Sequence, residues 1–333
     1  MNQHTQTCFE TSYDKTLTIV IPVFNEQDVL PEFYRRISNV LNSISMYSEI
    51  LFINDGSWDS SLNVLNQLKT NDQRVAIIDL SRNFGKEIAL TAGLDYAAGD
   101  IVVVIDADLQ DPPELIPDLI NGIKSGYDVV YAQRHSRAGE TSLKKFTAAV
   151  FYRIIQKLGR TTLPADTGDF RALSRRAVNA LKEIREQHRF MKGLFSWIGF
   201  PQKSIGYERD ARYAGNTKFN YWRLWNFSLE GITSHSSAPL KVATYIGFLI
   251  ALAAFLYAIF VLVKTLLFGD PVKGYPSLAI LILFLGGVQL IFIGMIGEYL
   301  GRTYNESKRR PLYFINKFYS SSLFNKVQAE KHS

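Results

Sequence analysis

The chain has 333 residues, a formal net charge of +6 and a hydrophobic fraction of 47%, which suits one large globular domain with additions. Cys8 is its only cysteine, so an intramolecular disulfide and a cysteine-based zinc site are excluded. The positive charge fits a protein that rests on anionic lipid, and nucleic acid is not expected as a partner. Residues 1–16 are polar, and we expect a flexible N-terminal segment there without a signal peptide.

Short apolar runs alternate with helical stretches from residue 17 to about residue 207, which is the pattern of an α/β sheet with covering helices. We therefore assign residues 17–217 to one α/β domain. The predicted strands are Leu17–Val23, Glu49–Asn54, Val75–Leu80, Ile101–Ile105 and Asp128–Ala132.

Polar residues follow each of the first three predicted strands, at positions 22–26, 54–57 and 81–85. The carboxyl ends of parallel strands meet at one edge of a sheet, so these groups predict a nucleotide-binding crevice there. The sequence has no GxxxxGK[ST] loop and no GxGxxG after the first strand. Glu26 and Asp55 could instead bond ribose hydroxyls or a base edge, although each alone also fits an ordinary turn or first helical turn.

The segment 101–114 (IVVVIDADLQDPPE) is a dense apolar strand that ends in two carboxylates one residue apart. On an extended backbone Asp106 and Asp108 share one side, with Gln110 two residues further on. Their oxygen atoms could converge on one hard divalent cation. A solvated acidic turn is the alternative interpretation.

Residues 242–263 and 275–297 contain no charged side chain, and each run is long enough to cross about 30 Å of hydrocarbon. We predict transmembrane helices at 240–267 and 277–300, joined by a periplasmic loop at 268–276 and followed by a cytoplasmic tail at 301–333. Lysine and arginine residues precede the first run and follow the second, so the positive-inside rule places both termini in the cytoplasm. A pair of buried core helices is the weaker alternative.

Two further stretches have apolar residues at helical spacing. Residues 143–158 predict an interfacial helix surrounded by basic side chains, and residues 218–239 predict an amphipathic juxtamembrane helix with Trp222 and Trp225. The apolar face of either helix could instead pack on the α/β domain.

Taken together, the segments 20–26 (VIPVFNE), 54–57 (NDGS), 80–86 (LSRNFGK), 106–110 (DADLQ), 167–171 (TGDFR) and 215–218 (GNTK) carry a resemblance. They resemble the family 2 glycosyltransferases of the GT-A fold. With the paired apolar runs, the chain resembles the polyisoprenyl-phosphate glycosyltransferases, nearest the bactoprenol glucosyltransferase (GtrB-like) branch and related to dolichol-phosphate mannose synthase. The resemblance implies a Rossmann-like mixed sheet followed by two transmembrane helices.

The activity that this resemblance implies is inverting transfer of a hexose, most simply glucose from UDP-glucose, to undecaprenyl phosphate at the cytoplasmic face of the bacterial inner membrane. The lipid-linked sugar would serve envelope glycan modification. Mg²⁺ or Mn²⁺ would be the cofactor, and the implied partners are further copies of the chain in a tetramer, a lipid flippase and a periplasmic transferase. Alternatives are another donor (GDP-mannose, UDP-GlcNAc or an aminoarabinose donor), a processive synthase, whose QxxRW motif is absent, and a non-catalytic lipid-binding scaffold.

The resemblance also implies roles for individual residues. Asp169 matches the position proposed as catalytic base, and Asp106 and Asp108 complete the catalytic set. Asp106, Asp108 and Gln110 would hold the metal. The donor would contact Pro22, Phe24, Glu26, Asn54, Asp55, Ser81, Lys86 and Asp106, and the phosphates would contact Arg134, Arg137, Arg171 and Lys218. Because a phosphate monoester is mostly dianionic near neutral pH, we hypothesise that Asp169 positions a substrate as much as it takes a proton.

Overall fold

The computed structural model describes residues 15–134, 167–187, 189–207 and 274–321, together with some positions between 245 and 267 and residue 325. The chain divides into two compact units. The first comprises residues 1–152, 161–218 and 311–333, and the second comprises residues 153–160 and 219–310. The predicted helices at 143–158 and 218–239, and nearly all of the predicted N-terminal segment, lie outside the described residues.

An eight-stranded mixed sheet forms the centre of the first unit. Its order is β7-β5-β6-β4-β1-β2-β3-β8, and β4, β1, β2 and β3 are parallel, whereas β6 and β8 run antiparallel to β4 and β3. The strands are β1 (Thr16–Val23), β2 (Tyr47–Asn54), β3 (Val75–Leu80), β4 (Ile101–Val104), β5 (Val129–Arg134), β6 (Thr167–Ser174), β7 (Gln202–Tyr207) and β8 (Ile315–Tyr319).

Helices cover both faces of this sheet. They are α1 (Leu30–Asn42), α2 (Ser61–Asn71), α3 (Lys86–Tyr96), α4 (Ile116–Lys124), α5 (Arg175–Glu183) and α6 (Met191–Trp197), with one 3₁₀ turn at Pro113–Leu115. Alternate residues of β1 point to opposite faces, so Ile19 and Ile21 pack in the cluster under α1 and α4, and Val20 packs in the cluster under α3 and α5. Burial on both faces explains why the parallel strands are continuous apolar runs.

All five predicted strands are confirmed, with small shifts at their ends. Strands β6, β7 and β8 were not predicted. In β6 the charged residues Asp169 and Arg171 interrupt the apolar pattern although both are buried, and β7 and β8 mix polar and apolar residues without a continuous apolar run. Sequence periodicity therefore finds the centre of the sheet and misses strands whose buried groups are ionic.

The second unit contains α7 (Tyr275–Ser307), the longest described helix. Its segment Phe284–Ser307 has a mean hydropathy of 1.5 and is the one helix, among the described residues, that is long and apolar enough to cross a membrane. Its large apolar side chains are exposed, as in Leu290 and Ile291. The described positions between 245 and 267 are helical, but too few are described to test the first predicted span.

Helix α3 approaches the sheet closely at Gly93. A Cβ atom at this position would lie 2.3 Å from Val20 Cγ1 and 2.8 Å from Ile53 Cδ1. The close approach matters for the site described below, because it fixes the height of α3, and hence of its first residue Lys86, above β1 and β2.

We predict that Gly93→Ala destabilises the protein although alanine is the better helix former. The methyl group must displace the stiff side chain of Val20, and overpacking of this kind costs about 1–3 kcal/mol. Thermal unfolding of the full chain in detergent should show a lower midpoint for Gly93→Ala and an unchanged one for the control Asn63→Ala, at an exposed position of α2. An equal or raised midpoint for Gly93→Ala would contradict the close packing.

Candidate active site

The loops after β1 and β2 are locked together at the carboxyl edge of the sheet. Asn25 N donates to Ser57 Oγ at 3.0 Å, Trp58 N donates to Asn25 Oδ1 at 3.0 Å, and Ser60 N donates to Gln27 Oε1 at 2.8 Å. Asn25 has a φ of 55°, a left-handed conformation that asparagine tolerates better than most residues. The crevice predicted from the strand ends therefore has a defined wall, built from two loops.

Asp55 joins this wall to the loop after β3. Its carboxylate is buried and accepts hydrogen bonds from Phe84 N at 2.7 Å and Gly85 N at 3.0 Å. Burial raises the pKa of Asp55, and the two backbone N–H groups oppose that rise. At Gly56, which has a φ of +64°, a Cβ atom would lie 2.4 Å from the backbone of Arg82. The NDGS motif thus requires glycine, because two loops meet there.

Other residues predicted to bind the donor lie around the same wall. Pro22 is in β1 beside Ile53, and Glu26 N donates to Ser61 Oγ at 2.9 Å. The ring of Phe24 lies edge-on to Trp58, with 4.9 Å between centroids, and Trp58 is 79% exposed. Trp58 was not predicted from sequence, since a single tryptophan in a polar loop has no periodic signal.

Two predicted donor residues make contacts within the fold. Asn54 is buried, its Nδ2 donates to Asp79 Oδ1 at 2.7 Å, and its Oδ1 accepts from Ser57 N at 3.3 Å. Ser81 is exposed, and its backbone N donates to the carbonyl of Phe314 at 2.9 Å. Both residues hold the wall in place, and their contact with a donor stays a prediction.

Lys86, the first residue of α3, brings together two carboxylates from distant parts of the chain. Its Nζ lies 2.7 Å from Asp106 Oδ2 and 2.5 Å from Asp169 Oδ2, although Asp169 is 83 residues away in sequence. Asp106 follows β4 and Asp169 lies within β6, the antiparallel neighbour of β4. Three residues predicted separately as donor-binding or catalytic therefore form one ionic cluster, Lys86–Asp106–Asp169.

This cluster sets the protonation of its members. Desolvation raises the pKa of Asp169, but the positive charges of Lys86 and Lys192 outweigh it and hold that pKa below its usual range. For Asp106 burial dominates and the pKa is raised, despite Lys86. Desolvation lowers the pKa of Lys86, and the two carboxylates more than reverse this, so its pKa is raised. Lys86 is thus a permanent cation and Asp169 an anion at neutral pH.

Asp169 keeps one oxygen available. The residue is 6% exposed, and within the described residues its buried Oδ1 has no hydrogen-bond partner. A buried acceptor without a donor is costly, so this atom is a natural contact for a group that the described chain does not supply.

Arg171, predicted to bind phosphate, is buried behind Asp169. Its Nη2 donates to the carbonyl of Gly168 at 2.8 Å, its Nε donates to that of Asp169 at 3.2 Å, and its guanidinium lies 3.9 Å from the ring centroid of Phe195. Burial lowers the pKa of Arg171 to about 10. These contacts fix the backbone of Asp169, and a phosphate contact stays a prediction.

Sequence reasoning missed Glu87, the neighbour of Lys86. Its Oε2 accepts from Met191 N at 2.8 Å, which ties the start of α3 to the start of α6 and brings Lys192 close to the cluster. Burial, and then the charge of Asp169, raise the pKa of Glu87 to about 7. A signal was present in the sequence, because Glu87 directly follows the LSRNFGK segment.

The DxD segment differs in one respect from the prediction. Strand β4 ends at Val104, and Leu109 has a φ of 59°, so Asp106–Gln110 is a turn and the expected extended backbone is wrong. The left-handed conformation of Leu109 reverses the chain direction within this turn. Asp108 Oδ1 accepts from Gln110 N at 3.1 Å within this turn.

The oxygen atoms of Asp106, Asp108 and Gln110 suit Mg²⁺ or Mn²⁺. Among the described residues no group of three or more Asp, Glu, His or Cys side chains could hold a metal ion. A hard cation bound by one or two carboxylates normally completes its shell with water and substrate phosphates. The residues therefore fit a metal that binds together with a diphosphate.

The remaining predicted phosphate ligands are only partly described. Arg134 is the last residue of β5, at the edge where the described segment ends. Arg137 and Lys218 lie outside the described residues.

Comparison with known proteins identifies the family. Residues 18–182 match Glycosyl transferase family 2, and residues 238–303 match the GtrB C-terminal hairpin. The chain is 52% identical to an uncharacterized glycosyltransferase of Synechocystis sp. over 90% of its own length and 94% of that protein. It is 48% identical to the bactoprenol glucosyl transferase of Shigella phage SfV (90% and 97% covered) and 47% identical to a prophage bactoprenol glucosyl transferase homolog of Escherichia coli K12 (90% and 98%).

The two family matches cover β1 to β6 of the mixed sheet, the ionic cluster and the apolar C-terminal region, and they confirm the resemblance seen in the motifs. The chain therefore belongs to glycosyl transferase family 2, in the branch of the bactoprenol glucosyl transferases, and it is a glycosyltransferase of the GT-A fold.

Proposed function

We propose that this enzyme transfers glucose from UDP-glucose to undecaprenyl phosphate at the cytoplasmic face of the bacterial inner membrane. The names of relatives that share nearly half of its residues over almost their whole length support the glucose and the lipid. The observation that carries the proposal is the Lys86–Asp106–Asp169 cluster, in which Lys86 contacts both the carboxylate predicted to bind the donor and the predicted base.

The donor would lie along the wall formed by the loops after β1, β2 and β3. Pro22, Phe24, Glu26 and Asp55 would hold the nucleoside, and Asp106, Asp108 and Gln110 would hold Mg²⁺ or Mn²⁺. When bound, the metal supplies Lewis-acid stabilisation of the charge that develops on the leaving diphosphate. Lys86 adds a fixed positive charge at the same place, because its pKa is raised by the two carboxylates.

In the reaction a phosphate oxygen of the acceptor forms a bond to the anomeric carbon while the bond from that carbon to the UDP oxygen breaks, with inversion. A dianionic monoester becomes a monoanionic diester, so no proton has to move at neutral pH. Asp169 is then best suited to accept a hydrogen bond through Oδ1 from a sugar hydroxyl and so to orient the donor. Arg134, Arg137 and Lys218 stay candidates for holding the acceptor phosphate, and Lys192 joins them as a cation near Asp169.

The lipid acceptor requires a membrane-bound enzyme. Helix α7, the match of residues 238–303 to a C-terminal hairpin and the basic flanks support two spans, at 240–267 and 277–300, with both termini in the cytoplasm. The helix at 218–239 would lie at the membrane surface. A homotetramer, a lipid flippase and a periplasmic transferase are further proposals that rest on the family resemblance.

Transfer can be measured directly with the purified full chain, undecaprenyl phosphate and radiolabelled UDP-glucose, UDP-GlcNAc and GDP-mannose. We expect labelled lipid from UDP-glucose only, and only with Mg²⁺ or Mn²⁺ present. Asp108→Ala should lower the rate by about a hundredfold or more, the usual effect of removing one electrostatic contact to a transition state. The control Asp118→Ala removes an exposed carboxylate of α4 and should leave the rate unchanged.

Labelled lipid from another nucleotide sugar would revise the donor. No labelled lipid from any of them, or transfer that resists both metal chelation and Asp108→Ala, would refute the proposed function.

Asp169→Asn separates positioning from proton transfer. Asparagine keeps an oxygen acceptor and loses the charge, so we expect the variant to recover towards the wild-type rate as the pH rises above the second pKa of the acceptor, about 6. Asp169→Ala, which also loses the acceptor, should stay slow at every pH. A profile of kcat against pH measures both variants, and an Asp169→Asn enzyme that is inactive throughout would show that the negative charge itself is essential.

A further inference from the structure

Residues 311–321, which follow the apolar helix α7, return to the first unit and close its sheet. Strand β8 pairs antiparallel with β3 and covers an edge that would otherwise be open. Tyr313 Oη donates to Asp95 Oδ2 at 2.8 Å, Lys69 Nζ donates to the carbonyl of Ser320 at 2.7 Å, and Ser321 Oγ bonds the buried Glu49. The segment is therefore anchored at both ends and along its length.

The pairing of β8 with β3 contains an irregularity at Asn316. Asp79 pairs with Lys317 and Leu80 pairs with Ile315, so Asn316 is one extra residue on β8. Such bulges turn a side chain away from its regular direction. Here Asn316 Nδ2 donates to Asp79 Oδ2 at 2.7 Å. The amide presents its Nδ2 to Asp79 because a carboxylate oxygen accepts hydrogen bonds.

Asp79 connects Asn316 to the wall formed by the loops after β1 and β2. Its second oxygen, Oδ1, accepts from Asn54 Nδ2 at 2.7 Å, and Asn54 Oδ1 accepts from Ser57 N at 3.3 Å. Ser57 Oγ in turn accepts from Asn25 N at 3.0 Å. An unbroken series of hydrogen bonds therefore runs from the segment after α7 to both loops that would hold the nucleoside.

We propose that Asn316 and Asp79 are positioning residues for the nucleoside diphosphate, so that the C-terminal segment sets the affinity for the donor. The inference rests on the proposed function, since it takes the locked loops as the nucleoside site. Asp79 and Asn54 are almost fully buried, and Asn316 contacts Asp79 from an exposed position of β8. A change at Asn316 that repels the Asp79 carboxylate would turn it from Asn54, and the loop that begins at Asn54 would lose its fixed position.

The test exchanges the residues at positions 316 and 79 and measures the binding of UDP. Asn316→Asp places two carboxylates against each other and should weaken UDP binding in the presence of Mn²⁺ by about tenfold or more, as expected for a hydrogen-bonded charge that loses its partner. Adding Asp79→Asn should restore binding, because the new amide accepts from Asn54 and donates to the new carboxylate at 316. Lys317→Ala, at the exposed neighbouring position of β8, is the matched control.

Titration calorimetry on the full chain in detergent gives the dissociation constant, and steady-state kinetics should show a raised KM for the donor with an unchanged KM for the lipid. Asn316→Ala, which adds no repulsion, covers the case in which Asn316→Asp fails to fold, and it should weaken UDP binding by about threefold to tenfold. The proposed role of Asn316 and Asp79 is refuted if the position-316 variants bind UDP like the wild type. It is also refuted if the double variant binds UDP no more tightly than Asn316→Asp. A wild-type chain that binds no UDP would instead refute the proposed function.

Discussion

The site depends on one cation that holds two carboxylates. Without Lys86, Asp106 and Asp169 would repel each other across a partly buried crevice, which favours a proton on one of them. Three features of the fold place this cation: the close packing of α3 at Gly93, the antiparallel insertion of β6 beside β4, and the contact of Glu87 with the start of α6. The same charges would meet an anionic donor and an anionic acceptor.

The C-terminal segment links two regions that are far apart in sequence. The chain leaves the first unit before the apolar hairpin and returns after it as β8, where Asn316 reaches Asp79. The residues after α7 complete the sheet of the first unit, and Asn316 is linked to the loops after β1 and β2 through Asp79 and Asn54. In this respect the tail predicted at 301–333 is also a structural element of the domain.

The sequence predicted the parallel centre of the sheet, because strands buried on both faces are continuous apolar runs that composition alone reveals. It also predicted Asp106, Asp169 and Lys86 as functional residues through motifs. It could not predict that Lys86 bridges the other two, since the contact spans 83 residues and depends on packing. Strand β6 was missed because Asp169 and Arg171 are buried ions, which no pattern of polarity distinguishes from a solvated turn. The turn at Asp106–Gln110 was missed because Leu109 takes a left-handed conformation that leucine rarely adopts.

The dependence of kcat/KM on pH in Lys86→Gln tests the central role of this cation most directly. The pKa of Asp169 is held low by Lys86 and Lys192 against the effect of burial, so removing the charge of Lys86 must raise that pKa. Below the second pKa of the acceptor, about 6, the phosphate is still protonated and transfer needs ionised Asp169 to take that proton, so this activity is lost at a higher pH than in the wild type as the solution is acidified. The account predicts an acid limb displaced towards neutral pH in Lys86→Gln and restored in Lys86→Arg. An acid limb at the wild-type position, or a loss of equal size at every pH, would contradict it.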